Sequence, residues 1–141
     1  FAETVRRVDG ALGISQDAAH WMAILGMDQH AHLFASRSTR TRIVEHPAEI
    51  TGALMHSRLP VLAPYRWLRA RDPLPHSWDV TSDSIAAWMA GDLGAQRLVL
   101  VKPVVGDRAA LVDAYFERAL PPSVRVVIAD AAGLTEALRA T

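Results

Sequence analysis

The chain has 141 residues, half of them hydrophobic, with 15 basic and 15 acidic side chains and no cysteine. This composition suits one globular domain, and zero net charge argues against general nucleic-acid binding, which needs a basic surface to displace counterions. Without cysteine there are no disulfides or thiolate zinc sites, and no apolar run approaches the roughly 20 residues of a membrane-spanning helix, so a cytoplasmic location without membrane association is expected.

The opening FAETVRRVDGALGI reads as a helix. Ser15 or Asp17 can start a second helix through about Ala35, with Met22, Leu25 and Leu33 on one apolar face. Gln29 interrupts that face, and a polar group there needs a partner, which makes it a candidate substrate contact. Residues 36 to 42 form a polar connector to Ile43 and Val44, followed by a helix opened by Pro47 and running to about His56. LPVLAPY is a short apolar run bounded by prolines. RWLRARDPLPHSW, residues 66 to 78, is rich in Pro and Arg and is expected to be the long loop of the chain. Its Arg66, Arg69, Arg71 and His76 either bind a phosphorylated ligand through guanidinium forks or stay solvated.

The most informative stretch is WDVTSDSIAAWMAGDLGAQRLVLVKPVVG, residues 78 to 106. Asp79, Thr81, Ser82 and Asp83 lie directly before an apolar stripe at Ile85, Trp88, Met89 and Leu93, so carboxylates and hydroxyls gather at a helix N-terminus. Gly94 closes that helix, predicted over 84 to 93. RLVLVK, 97 to 102, reads as a central strand buried on both faces, with other parallel strands beside it. Asp107 can cap a further helix with Leu111, Val112, Tyr115, Phe116 and Ala119 on one stripe. VRVVIA, 124 to 129, is a last buried strand, and Leu134, Ala137 and Leu138 mark a closing helix. Alternation of helices with short strands predicts an α/β fold with a mostly parallel sheet and helices on both faces. In such sheets ligands collect at the carboxyl ends of the strands.

The order Asp79-Val80-Thr81-Ser82-Asp83, then Leu93-Gly94-Ala95-Gln96, then the strand Leu98 to Val101 and Gly106 resembles the amino acid kinase superfamily. There a polar signature opens a helix that ends in Leu-Gly-Ala-Asp before an apolar strand and a glycine turn. Residues 78 to 86 are similar to the Trp-x-Val-Thr-Ser-Asp-Ser-Ile-Ala segment of the aminomethylfuran phosphate kinases. The resemblance implies a three-layer α/β/α sandwich with a mostly parallel central sheet, of which the chain would form the C-terminal two-thirds. Within one such domain, 1 to 77 would face the acceptor and 78 to 141 the nucleotide. Members begin with Lys-x-Gly-Gly and a triple-glycine phosphate loop; neither is present, so the sequence is expected to start downstream of them and to be inactive as a kinase alone.

The implied activity is ATP-dependent phosphoryl transfer, with Mg²⁺, to a small acid or phosphate acceptor such as an aminomethylfuran phosphate in the biosynthesis of a C1-carrier coenzyme. Asp83 would be the catalytic aspartate that organises charge around the transferred group; as a bare residue it more often caps the helix, and the two roles can coexist. Asp79 is placed to bind an ammonium group of the acceptor or to sit in a solvated turn, and Thr81 and Ser82 to donate to phosphate or to satisfy the turn. Lys102 and Gly106 fall on the nucleotide side. Lys102-Pro103 replaces the usual Thr-Asp, so the ribose contact is in doubt and the lysine is read as a phosphate ligand or a surface residue. No later Gly-Gly-Met-x-x-x-Lys segment occurs. Among six histidines, His30 and His32 are two apart and there is no His-x-x-x-His or His-Glu-x-x-His, so no protein metal site is expected. The partners expected are a small-molecule acceptor and a second copy of the chain, with no nucleic acid. The competing readings are a noncatalytic ligand-binding or storage protein on the same fold and an unrelated nucleotide-binding α/β domain.

Overall fold

A computed structural model describes residues 2 to 139 and divides the chain into two compact units, Phe1–Ser77 and Trp78–Thr141. No helix among the described residues is long and apolar enough to cross a membrane.

In the first unit α1, Ala2–Leu12, ends at Gly13, whose φ of +62° is the left-handed conformation that stops a helix at little cost to glycine. Phe1, which the sequence assigns to this helix, lies outside the described residues. Ser15 caps α2, Gln16–Ala35, by accepting the Ala18 N–H at 3.2 Å. The strands β1, Thr41–Val44, and β2, Leu59–Leu62, pair in parallel across α3, Pro47–Met55, which forms the crossover. Helices α2 and α3 pack on this pair. Ile24, Val44 and Ala53 are among the most buried side chains.

Two expectations for this unit are corrected. Met22, Leu25 and Leu33 do not form the buried face of α2: they are exposed, and Ala19, Ile24, Gly26 and Ala31 turn inward instead. AAHWMAILGM is apolar nearly all round, so its period does not select a face. Gln29 accordingly stands on the exposed side. The Pro/Arg segment is not a loop throughout, because Tyr65–Arg71 forms the helix α4 with Trp67 and Leu68 buried. The prolines of the segment, Pro73 and Pro75, fall after that helix, and Asp72 ends it in the left-handed region at φ 43°.

The second unit opens with α5, Ser82–Asp92. Leu93 caps it and Gly94, φ +64°, follows; the Gly94 N–H bonds to Gly91 O at 2.9 Å and the Ala95 N–H to Ala90 O at 2.8 Å, a Schellman closure. β3, Arg97–Val101, pairs in parallel with β4, Arg125–Ala129, and the Lys102 N–H extends the ladder to Ala129 O at 2.9 Å. The crossover between them carries α6, Arg108–Leu111, and α7, Phe116–Ala119, and the chain closes with α8, Leu134–Arg139. Asp107 caps α6 through the Ala109 N–H as expected, but the single stripe from Leu111 to Ala119 is two short helices broken around Asp113. Ala87 of α5, Leu100 of β3 and Phe116 of α7 form the core, with Leu98, Val112, Leu120, Val126 and Ile128 around them.

Among the described residues the architecture is mixed α/β with every strand pair parallel, in two two-stranded sheets. β3 is therefore not a central strand among the described residues. There β4 is its one neighbour, and along it only Leu100 is buried while Val101 is exposed.

Candidate active site

The second unit gathers its polar side chains where the N-terminus of α5 meets the carboxyl end of β3. Thr81 stands at the N-cap position in extended conformation, and Ser82 and Asp83 occupy the first turn. Lys102 is the first residue beyond β3. Its Nζ donates to both oxygens of Asp83, at 2.8 and 2.7 Å, in a pair whose side chains are only 18% and 13% exposed. Two charges at this depth hold each other's position, because separating either from its partner would leave a charge in a poorly solvated place. The sequence names both residues but assigns them separate roles; the fold joins them.

A residue that the sequence did not single out organises the same helix end. Asp113 Oδ2 accepts the Thr81 N–H at 2.9 Å, the Thr81 hydroxyl at 2.8 Å and the Ser84 N–H at 3.0 Å. Its Oδ1 takes the Ser84 hydroxyl and, at 3.2 Å, the Tyr115 N–H. Ser84 is fully buried, so this carboxylate is what satisfies its hydroxyl. Burial, the largest single influence, pushes the Asp113 carboxyl up, but the bonds from Ser84 and Thr81 together outweigh it and hold the group below the usual carboxylate range. Asp113 thus acts as a remote cap, placing negative charge at the positive end of α5.

Asp79 is exposed, and its carbonyl accepts the Tyr115 N–H at 3.1 Å, tying the start of the signature to the same turn that holds Asp113. Ser82 is exposed beside Asp83. Gly106 lies in the exposed turn after Lys102. Thr81 spends its hydroxyl proton on Asp113, so toward a ligand it offers acceptor lone pairs rather than a donor. Gln29 belongs to the first unit.

The first unit holds a second polar cluster. His76 sits between two carboxylates, Nδ1 2.6 Å from Asp17 Oδ1 and Nε2 2.7 Å from Asp72 Oδ1. Its ring stacks on His20 with centroids 4.1 Å apart, and Trp21 meets both rings edge-on at 4.9 and 5.1 Å. Burial lowers the His20 pKa to about 4, with the neighbouring His76 acting in the same direction. His76 is raised: burial opposes its charge, but the bonds to Asp17 and Asp72 prevail. Of the arginines in this segment, Arg69 lies over the Trp21 ring at 4.5 Å and Arg66 pairs with Glu45 at 3.3 Å.

No family profile matches this sequence. The chain is similar to the [5-(aminomethyl)furan-3-yl]methyl phosphate kinase of Methanocaldococcus jannaschii, at 27% identity over 106 residues, 75% of this chain. The matched region spans about half of that kinase, 49% of its length, so the similarity supports a distant kinase relationship across part of the relative's fold.

Proposed function

We propose that the chain is part of an ATP-dependent small-molecule kinase of the amino acid kinase superfamily, acting with Mg²⁺ on a small acid or phosphate acceptor, of which an aminomethylfuran phosphate is the specific candidate. The observation that supports this best is the Asp83–Lys102 pair, set between a helix N-terminus and a strand's carboxyl end. The similarity to a kinase of that acceptor class supports it independently. For the complete protein the finer architecture proposed is the three-layer sandwich, with residues 1 to 77 on the acceptor side and 78 to 141 on the nucleotide side.

The residues present suit a phosphate group. An ammonium carries three N–H donors, and Asp83 takes two from Lys102. A further donor on a cation already fixed in place can meet a phosphate oxygen with little reorganisation, which is the condition for electrostatic stabilisation of phosphoryl transfer. Asp83 then acts as a positioning residue through Lys102. No dedicated magnesium cage is required of the protein, because Mg²⁺ keeps several waters and binds largely through phosphates. MgATP, when bound, supplies the phosphoryl group. Asp79 and Ser82, exposed at the mouth of the helix, are proposed to hold the acceptor together with Thr81. Gly106 is proposed to let the chain after Lys102 pass close to the nucleotide.

The rival, a noncatalytic binding protein, draws on one feature: Asp113 already fills the anion-attracting end of α5 that a phosphate would otherwise use. The two separate by kinetics. In the full-length polypeptide carrying these residues, Asp83→Asn is expected to lower kcat roughly 100-fold while changing KM little, and to lower the unfolding midpoint as well, because Lys102 loses its charged partner. Equal turnover in variant and parent would overturn the role of Asp83. ATP binding by the parent with no turnover on any furan phosphate would favour the binding protein.

A further inference from the structure

We propose that His20, Asp72 and His76 form a binding site for a divalent transition cation, with Asp17 as its supporting carboxylate. One ligand atom from each of the three lies within 4.8 Å of the others, on α2, at the end of α4 and in the segment after it. Two imidazoles and a carboxylate are the donor set that zinc and its neighbours in the first transition row favour. Local spacing conceals it, since Asp17 and His76 are 59 positions apart.

The arrangement around His76 is that of a supported metal ligand. Asp17 accepts from Nδ1 at 2.6 Å, which fixes the ring's orientation and leaves Nε2 facing Asp72. A carboxylate behind the far nitrogen of a ligating histidine is the usual second layer of such sites. Asp72 reaches Nε2 from a left-handed backbone, φ 43° and ψ 55°, which aspartate tolerates better than most residues. The stacked rings differ in plane by only 19° and Trp21 meets both edge-on, which together with its two carboxylates holds His76 in place. Tetrahedral coordination at about 2.0 Å needs donors roughly 3.3 Å apart. The lone pairs of stacked rings run side by side, so on binding His20 turns out of the stack to bring its nitrogen in from the present span. On binding, the cation takes the place of the proton shared by Nε2 and Asp72, and that proton leaves to solvent. Asp72, 53% exposed, leaves the fourth position open to water.

The test is titration of the 141-residue chain with Zn²⁺, and with Co²⁺ as a spectroscopic probe. One Zn²⁺ per chain is expected, and the Co²⁺ form should show the intense visible bands of four-coordinate N/O ligation. His20→Ala and Asp72→Asn should each weaken binding by about 100-fold or more, Asp17→Asn by about 10-fold, and His56→Ala not at all. Asn keeps the left-handed backbone accessible, so Asp72→Asn reads ligation rather than folding. Nitrogen NMR of the parent supplies a check that needs no variant, because Zn²⁺ should shift the ring nitrogens of His20 and His76 alone. Affinity unchanged in both His20→Ala and Asp72→Asn, or Zn²⁺ shifts spread over all six histidines, would overturn the site.

Discussion

Replacing Asp113 by alanine tests whether a residue between two short helices holds the candidate site in shape. The substitution removes the acceptor for two donors each on Thr81 and Ser84 and for the Tyr115 N–H. Thr81 is only partly buried and can turn to water, so most of the cost falls on Ser84, which is fully buried. A stranded buried donor costs about 1–3 kcal/mol, and loss of the charge at the α5 N-terminus adds about 0.3–1 kcal/mol, which together give roughly 1–4 kcal/mol. The folded carboxyl is held below its ordinary range, so its stabilisation is fully present above the unfolded-state pKa of about 3.9 and is lost as pH falls through the lower folded value. Asp113→Ala should therefore lower the urea midpoint near neutral pH and flatten the acid limb of the stability profile. In a cycle with Ser84→Ala the two changes should be coupled by about 1 kcal/mol or more, since they share one hydrogen bond. An unchanged urea midpoint in Asp113→Ala, or strictly additive effects in the cycle, would refute the capping argument.

Lys102→Met strands the Asp83 carboxylate, 13% exposed, and should cost about 3 kcal/mol; adding Asp83→Asn should recover part of that, as chemical denaturation of the parent and the two variants would read. Gly91 faces the Pro121 ring so closely that a methyl group at 91 would overlap it. Gly91→Ala should therefore destabilise by about 1–3 kcal/mol despite alanine's better helix propensity, and a raised melting temperature would contradict the close packing. At Gly94 the obstacle is backbone, not space: no atom crowds a Cβ there, yet φ is +64°, so Gly94→Ala should cost about 1 kcal/mol, with Gly94→Asn costing less.

Features that short-range chemistry decides were legible in the sequence. Ser15, Pro47 and Asp107 mark helix starts because capping and proline geometry act within one turn, and Gly94 marks an end for the same reason. The β3 and β4 strands stand out as unbroken apolar runs. Long-range chemistry was hidden. Asp113 caps a helix that begins about 30 positions earlier, separations of 29 and 32 residues in its bonds to Ser84 and Thr81, and nothing in its own neighbourhood announces that. His76 looked like one more polar residue in a Pro/Arg segment until α4 brought it onto His20. The prolines of that segment also masked α4 itself, whose buried Trp67 and Leu68 were visible only as residues among arginines. Polarity made Asp83 and Lys102 conspicuous, but their pairing depends on where β3 ends relative to α5.

The most direct test of the kinase reading follows the phosphorus atoms. Phosphorus NMR of the full-length polypeptide with MgATP and [5-(aminomethyl)furan-3-yl]methyl phosphate should show loss of the γ-phosphoryl signal matched by a new resonance on the acceptor. The Asp83→Asn variant should form that product roughly 100-fold more slowly. ATP consumed no faster with the acceptor than without it, or product formed at the parental rate by Asp83→Asn, would contradict the assignment of the Asp83–Lys102 pair to phosphoryl transfer.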